Sequence, residues 1–148
     1  MIIEARVDIA GTVDRIWALI ADIEGAAESI EGIERIEILE RPATGLIGCR
    51  WKETRMYFGK PATVEKLIIA AVEREFLTTR AESDGFEFLS TTSISESEEV
   101  VTLTGTHESR PLGLVARLKL LPMPLFKGMA RRLILKDLND LKRAIERG

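Results

Sequence analysis

Residues 126–145, FKGMARRLILKDLNDLKRAI, carry the apolar pattern that decides the fold. Apolar side chains recur at intervals of three or four residues, which places them along one face of an α-helix. That face consists of Phe126, Met129, Ala130, Leu133, Ile134, Leu138, Leu141 and Ile145. The pattern predicts an amphipathic helix of about six turns. Because such a helix buries its apolar face, the rest of the chain must supply a surface for it to cover.

The chain before this helix is dominated by strand patterns. In residues 2–10, IIEARVDIA, apolar and charged side chains alternate, which predicts a half-buried strand. Six further strand-like stretches follow, with short turns between them such as the hairpin signal Asp84–Gly85. These stretches are 33–40, 48–58, 63–72, 75–83, 86–95 and 99–109. Consecutive strands joined by short turns pair antiparallel, so we expect an antiparallel sheet.

A helical pattern separates the first strand from the others. Thr12 is a suitable N-cap, and Ile16, Trp17 and Ile20 follow it at helical spacing. Gly25 is expected to end this helix, and a short helical piece is expected to follow through residue 28. The sequence therefore predicts a helix, or a pair of helices, directly after the first strand.

The order of elements predicts the architecture. Residues 111–121 form either a short helix or irregular chain, because Pro122 and Pro124 interrupt the pattern there. We expect an α+β protein: a curved antiparallel sheet of about seven strands wrapped around a long C-terminal helix, with short helices after the first strand. A length of 148 residues fits a single domain, 1–148.

Three stretches resemble the START-related superfamily known as SRPBCC, and within it the polyketide cyclase/dehydrase-like and pollen-allergen-like small proteins. GTVDRIWALIADIE, residues 11–24, resembles the family's first helix. The core motif of that helix falls on Ile16, Trp17, Ile20 and Asp22. GLIGCRWKETR, residues 45–55, resembles its third strand, and DLNDLKRAIE, residues 137–146, resembles the end of its long helix.

The resemblance implies a helix-grip fold in which a cavity between sheet and helix binds a small hydrophobic or amphipathic molecule. It also implies that a minority of relatives are cyclases, dehydratases or hydrolytic enzymes, and that others carry lipids. Two stretches depart from the family's pattern. Residues 24–37 lack the aromatic or proline pair that often follows the first helix, and the two prolines within residues 120–126 are not required by the family.

Residues 48–58, GCRWKETRMYF, have no purely apolar face. Burying Arg50 and Lys52, two cations on one face, would cost several kcal/mol without partners. The opposite face, which contains Cys49, Trp51, Glu53, Arg55 and Tyr57, carries two opposite charges that can offset each other. We therefore predict that the Trp51 face points inward and that Glu53 and Arg55 hold the polar end of a ligand. The alternative is that these two side chains make rim contacts worth ~0–1 kcal/mol.

The remaining candidates lie on the last strands and the long helix. His107 is the only histidine, and it is a catalytic acid/base, a hydrogen-bonded core residue or a residue at a strand end. Phe86, Phe88 and Thr92 share one face of a strand, which indicates either a cavity wall with a polar belt or ordinary core packing. The predicted ligand-binding residues are Trp51, Glu53, Arg55, Tyr57, Phe86, Phe88, Thr92, His107, Phe126, Met129 and Leu133.

Three functions are considered; the first two are what the resemblance implies, with candidate residues taken from the patterns above, and the third follows from the charge pattern. The first is binding or carriage of a small hydrophobic or amphipathic molecule without catalysis. The second is a polyketide cyclase/dehydratase-like enzyme with Glu53 or His107 as acid/base and Arg55 stabilising an enolate-like charge. The third is a protein-interaction module that uses the basic face of the long helix and has a filled interior.

Composition limits the partners and the location. No apolar run reaches the ~18 residues of a membrane span, and the first residues lack the pattern of a signal peptide. The single cysteine, Cys49, fits a reducing cytoplasm and excludes an internal disulfide. Cys49 and His107 are too few for a metal site, so we expect no metal and no cofactor. Aromatic residues make up 5% and no recognition motif is present, so nucleic acid is not an expected partner.

The charge distribution suggests one further partner. The formal net charge is −3, but residues 110–148 contain ten Lys/Arg and three Asp/Glu. Residues 112–136 combine basic and apolar side chains, so this segment either contacts an anionic membrane transiently or only grips the sheet. The expected oligomeric state is a monomer or a homodimer.

Overall fold

The computed structural model describes residues 1–57, 59–98, 100–119 and 127–147. The helices are α1 (Val13–Ala21), α2 (Ala26–Ser29), α3 (Leu114–Lys119) and α4 (Lys127–Arg147). The strands are β1 (Ile2–Ile9), β2 (Ile33–Glu40), β3 (Arg50–Tyr57), β4 (Lys60–Val72), β5 (Phe76–Ser83), β6 (Phe86–Ser97) and β7 (Val100–Pro111). Phe126, one of the predicted ligand-binding residues, lies outside the described residues.

The seven strands form an antiparallel sheet in the order β1-β7-β6-β5-β4-β3-β2. Register shifts between Ile33 and Arg35 and between Ile38 and Glu40 interrupt β2, and another between Ile68 and Ala70 interrupts β4. Bulges of this kind bend strands and increase their twist, which curves the sheet around α4. The arrangement confirms the predicted α+β helix-grip architecture.

Local sequence signals account for the element boundaries. The Thr12 hydroxyl accepts a hydrogen bond from the Arg15 amide at 3.2 Å and caps α1 as predicted. Asp84 and Gly85, between β5 and β6, both have positive φ angles, 53° and 81°. A two-residue hairpin with two positive φ angles is the type I′ turn that Asp-Gly favours. Both predictions are confirmed.

Strand register defines two ends of the sheet. Tyr57 pairs with Lys60, Ser83 with Phe86, and Phe86 with Pro111, so the β3–β4 turn, the β5–β6 turn and the start of α3 lie at the same end. Residues 30–33 join this end because Ile33 pairs with Arg55. We call this the open end. The other end, which contains α1 and the end of β1, is the closed end.

The closed end holds the apolar core. One cluster lies between α1, α4, β1 and β7 and contains Ala5, Ile9, Ile16, Val101, Leu103, Leu138 and Ile145. A second cluster lies between α1 and the middle strands and contains Trp17, Ile23, Cys49, Trp51, Ile68 and Leu77. The C-terminal half of α4 therefore packs against the sheet through apolar side chains, as the helical stripe predicts.

A buried carboxylate fixes α4 against the loop after α2. Asp140 is 2% exposed and accepts hydrogen bonds from the Glu31 amide at 3.1 Å and from the Lys136 ammonium at 3.3 Å. Arg143 also pairs with it. Because a buried carboxylate requires such partners, this contact sets the position of α4 beside the open end. Among the described residues, none of the helices combines the length and the hydrophobicity that a transmembrane segment needs.

Candidate functional site

A cavity of about 750 Å³ lies between the concave face of the sheet and the N-terminal half of α4. Its volume falls within the range of roughly 300–1,000 Å³ that is typical of small-molecule sites. The residues between α2 and β2 and the end of β3 also border it, so the cavity lies toward the open end. The lining from α4 includes Ala130, Leu133, Ile134, Asp137, Leu138 and Leu141.

The face of β3 that was predicted to point inward, the Trp51 face, lies on the concave side of the sheet. Cys49, just before β3, and Trp51 are each 3% exposed, and Glu53 is 4% exposed, whereas Lys52 is exposed. The prediction that the Trp51 face points inward is confirmed for these residues. Trp51 itself belongs to the apolar core and does not line the cavity. It contacts the site through its indole, because Trp51 Nε1 donates to Glu53 Oε1 at 3.3 Å.

Glu53 is the centre of a cluster of charged side chains. Its Oε2 accepts from Arg55 Nε at 2.7 Å and from Lys66 Nζ at 2.9 Å. Arg55 reaches across the cavity to α4, where Arg55 Nη1 donates to Asp137 Oδ2 at 2.8 Å. Two carboxylates and two cations thus form a network that joins β3, β4 and α4.

The network shifts the protonation equilibria of its members. Burial alone would raise the pKa of Glu53, but the charges and hydrogen bonds of Lys66 and Arg55 outweigh it and lower the pKa to about 2. Burial raises the pKa of Asp137, and the neighbouring Arg55 opposes that rise. Glu53 is therefore ionised at neutral pH and both of its oxygens are occupied. It is poorly suited to proton transfer, which requires a pKa nearer the working pH.

His107 faces the same cavity from β7. Its Nδ1 lies 2.9 Å from the Ser90 hydroxyl, and its ring stacks on Phe88 with the ring centres 5.6 Å apart. Burial lowers the pKa of His107, and the nearby cations Lys66 and Arg55 lower it further. The imidazole is therefore neutral at physiological pH and can both donate and accept hydrogen bonds.

The cavity brings together six of the eleven predicted ligand-binding residues: Glu53, Arg55, Tyr57, Thr92, His107 and Leu133. Trp51 lies behind Glu53. Phe86 and Phe88 stack on each other, with centroids 6.0 Å apart, and stand beside the lining rather than in it. Met129 is 43% exposed and also lies outside the lining.

Sequence reasoning missed two members of the charged network, Lys66 and Asp137. Lys66 lies in the predicted strand 63–72, but the register shift between Ile68 and Ala70 obscures the alternation there. Asp137 directly precedes the buried Leu138 on α4, and the apolar stripe gives no sign that a carboxylate beside it faces a cavity. Spacing relative to Glu53 or Arg55 could not have identified either residue, because the contacts cross from one element to another.

The walls of the cavity differ in polarity. The sheet side presents Glu53, Arg55 and Lys66 together with the hydroxyls of Thr79, Ser90 and Thr92, and Leu77 lies among them. The α4 side and the segment after α2 are largely apolar, with Asp137 as the charged residue that binds Arg55; their apolar lining residues are Ile30, Leu133, Ile134, Leu138 and Leu141. In the part of the chain that is described, no group of three or more His, Cys, Asp or Glu side chains is arranged to hold a metal ion.

Comparison with known families gives a match along nearly the whole chain. Residues 1–146 match the family model described as polyketide cyclase / dehydrase and lipid transport. This finding confirms the resemblance inferred from the sequence. Among curated proteins, no sequence matches the chain.

Solved structures with the same fold include proteins of different kinds. A START superfamily protein from Mycobacterium smegmatis superimposes with a TM-score of 0.81 at 17% identity, over 99% of this chain and 97% of that one. The Zhui aromatase/cyclase from a Streptomyces species gives 0.75 at 22% identity, over 99% and 94%. Major latex-like protein 151 from Panax ginseng gives 0.75 at 11% identity, over 98% and 97%. At these identities the likeness shows the fold alone.

Proposed function

The chain belongs to the polyketide cyclase/dehydrase and lipid transport family, and from this premise we propose that it binds a neutral amphipathic small molecule between the sheet and α4. One observation carries the proposal: a cavity of about 750 Å³ whose α4 side is largely apolar and whose sheet side carries most of the charged and hydroxyl groups. A filled interior, which the interaction-module hypothesis requires, does not fit this observation.

The charges of the cavity favour a neutral ligand over an anionic one. Glu53 and Asp137 are matched by Arg55 and Lys66, so the network is neutral as a whole. At the mouth, Lys136 pairs with Glu31 at 3.0 Å. Each lining cation among the described residues thus has a carboxylate partner, and the cavity offers no unbalanced positive charge to a ligand carboxylate. A buried anion without a counter-charge is costly.

The polar wall can still orient a ligand through hydrogen bonds. Arg55 uses Nε and Nη1 for the two carboxylates, so its Nη2 is available to a ligand oxygen. The three hydroxyl side chains and the His107 imidazole provide further donors and acceptors. A carbonyl or hydroxyl group at one end of an apolar body therefore matches the two walls.

The first test is native mass spectrometry of protein purified from cells, followed by solvent extraction. We expect a copurified apolar molecule. Binding is then measured by calorimetry with a long-chain fatty acid, its methyl ester and the corresponding alcohol. The ester and the alcohol are expected to bind roughly tenfold tighter than the acid, because the acid buries an unmatched charge. Preference for the acid, or no binding by any of the three and no copurified molecule, would end the proposal.

A pair of substitutions locates the binding. Thr92 and Ser93 are adjacent on β6, and alternation places them on opposite faces of the sheet. Thr92→Trp fills the cavity and is expected to abolish binding, whereas Ser93→Trp places the same ring on the convex face and is expected to leave it unchanged. Equal effects would mean that the ligand does not occupy this cavity.

A cyclase/dehydratase-like activity is the second candidate, because His107 and Asp137 face the same cavity with pKa values shifted toward each other. A neutral imidazole can accept a proton, and the Arg55 guanidinium can stabilise an enolate-like oxygen. Glu53 is a poor acid/base for the reason given above. The test is turnover of a poly-β-ketone substrate, which His107→Ala should abolish. Full activity in that variant would eliminate the candidate.

We also propose a cytoplasmic location. The support is Cys49, which is 3% exposed and whose thiol has a pKa raised by burial. A free, unreactive thiol is typical of proteins from a reducing compartment. Fractionation of the native host would check this location.

A further inference from the structure

The segment that follows β7 exposes several large aliphatic side chains close together. Leu112 is 55% exposed, Leu114 77%, Val115 70% and Leu118 63%. Single exposed apolar residues are ordinary on protein surfaces, but a contiguous group of them marks an interaction site. This group is concentrated on α3 and on the residues that lead into it.

The aliphatic group lies at the open end, where the cavity is bordered by the end of β3. The Leu112 amide donates to the Gly85 carbonyl at 2.8 Å, which attaches the start of this segment to the β5–β6 turn. Met56 and Tyr57, also at the open end, are 40% and 43% exposed. The exposed apolar surface and the cavity mouth therefore share one end of the molecule.

Basic side chains accompany the apolar ones. Residues 109–136 contain seven Lys/Arg and no Asp/Glu. Four exposed cations of this stretch are Arg117, Lys127, Arg131 and Arg132. The carboxylates near this end belong to other elements, and several are already paired: Glu87 and Glu108 with Arg110, and Glu31 with Lys136. Asp84 lies on the β5–β6 turn beside Gly85.

We propose that this surface docks onto an anionic phospholipid bilayer. The docking surface consists of Leu112, Leu114, Val115, Leu118, Arg117, Lys127, Arg131 and Arg132. A bilayer accommodates both kinds of side chain, since the aliphatic groups enter the acyl boundary and the cations pair with the headgroups. An acidic protein would use the cations but leave four exposed aliphatic side chains without a role.

Docking would place the cavity mouth beside the bilayer, so that an apolar ligand could move between the two with little exposure to water. That consequence rests on the proposed ligand binding, whereas the docking itself does not. The two are separated by experiment, because vesicle binding requires no ligand and calorimetry requires no vesicle.

The test is cosedimentation of the full chain with vesicles of phosphatidylglycerol and with vesicles of phosphatidylcholine. We expect binding to phosphatidylglycerol that weakens as salt is added, and little binding to phosphatidylcholine. Leu118→Asp and Arg117→Glu should each reduce binding roughly tenfold, because each removes a favourable contact and adds a negative charge. The matched control is Ile47→Asp, since Ile47 is 56% exposed just before β3, at the closed end.

Three results would overturn the proposal. The first is absence of binding to phosphatidylglycerol vesicles. The second is an equal loss of binding in Ile47→Asp and Leu118→Asp, which would show an effect of charge without a defined surface. The third is binding to polyglutamate as tight as to vesicles with no effect of Leu118→Asp, which would identify an acidic protein as the partner. Circular dichroism of each variant confirms that it is folded.

Discussion

The two halves of α4 meet the same sheet in different ways. In the C-terminal half, Leu138 and Ile145 are 3% and 5% exposed and pack into the closed-end core. In the N-terminal half, Leu133 and Asp137 face a cavity whose opposite wall carries Glu53 and Arg55. The fold is held by close packing at one end, and the other end is held largely by charged contacts across an open space. Stability and ligand binding are therefore assigned to different parts of one helix.

The two faces of β3 and β4 repeat this contrast with ion pairs. On the convex face, Arg50 and Glu65 are 2.9 Å apart, with side chains 43% and 46% exposed. On the concave face, Lys66 and Glu53 are also 2.9 Å apart, but their side chains are 21% and 5% exposed. The two ion pairs have the same length but are expected to differ in energy, because water screens the exposed Arg50–Glu65 pair more strongly than the Lys66–Glu53 pair.

The largest expected effect tests these two pairs. Glu53→Ala leaves Arg55 and Lys66 beside each other without their shared carboxylate, and should lower the free energy of unfolding by about 3–5 kcal/mol. Glu65→Ala removes an exposed partner at the same distance and should cost about 0–1 kcal/mol. Urea unfolding followed by circular dichroism measures both. Similar losses in the two variants would mean that burial does not distinguish the pairs.

The second prediction compares the two halves of α4 directly. Ile145→Ala creates a void in the closed-end core, away from the cavity, and should cost about 3 kcal/mol. Leu133→Ala enlarges a cavity that already exists, at a position that is 45% exposed, and should cost less than about 1 kcal/mol. The same unfolding measurement applies. If Leu133→Ala proves as costly as Ile145→Ala, the open end is as tightly packed in solution as the closed end, and the two halves of α4 do not differ.

The third prediction concerns pH. The pKa of Glu53 falls from its usual 4.5 to about 2 in the folded chain, so its contribution to stability is present above pH 4.5 and lost as the pH falls toward 2. Linkage gives a loss of about 2–3 kcal/mol. Glu53→Gln lacks this contribution, while His107 and Asp137 titrate in both proteins. The difference in the free energy of unfolding between wild type and Glu53→Gln should therefore shrink from pH 4.5 to pH 2, as measured by urea unfolding at each pH. A difference that stays constant over this range would contradict the low pKa of Glu53.

Much of the closed end could be predicted from sequence, because its signals are local and periodic. The Thr12 cap and the stripe that contains Leu138 each depend on neighbouring residues along the chain. The Asp84–Gly85 turn was predictable for the same reason, although it lies at the open end. The inward face of β3 also followed from a local argument, since Arg50 and Lys52 share the opposite face and are costly to bury.

The open end was predicted less completely, because its contacts join distant elements. Asp137 binds Arg55 across the cavity although the two residues are 82 positions apart in the sequence. Local sequence periodicity cannot predict a contact between such distant residues. Phe88 was expected in the lining, but it stacks on His107 instead. The alternation of side chains along β6 identified its inward face correctly. It could not show which residues on that face line the cavity.

The last comparison concerns two glycines at which an added methyl group would meet α4, and the smallest expected effect is at Gly105. At Gly11, in the closed end, a Cβ would lie 2.5 Å from Ile145 Cγ2, and Ile145 is already buried. Gly11→Ala must therefore displace a packed core residue and should cost about 1–3 kcal/mol.

At Gly105, which lines the cavity, a Cβ would lie 3.0 Å from Ile134 Cγ2 and 3.5 Å from Leu138. Ile134 borders open space and can yield by a few tenths of an ångström, and alanine also restricts the unfolded chain. Gly105→Ala should therefore change the free energy of unfolding by less than about 1 kcal/mol while reducing the cavity and weakening ligand binding. Urea unfolding and calorimetry with the fatty alcohol measure the two effects separately. A loss of stability at Gly105 equal to that at Gly11 would show that α4 is as tightly packed over the cavity as over the core.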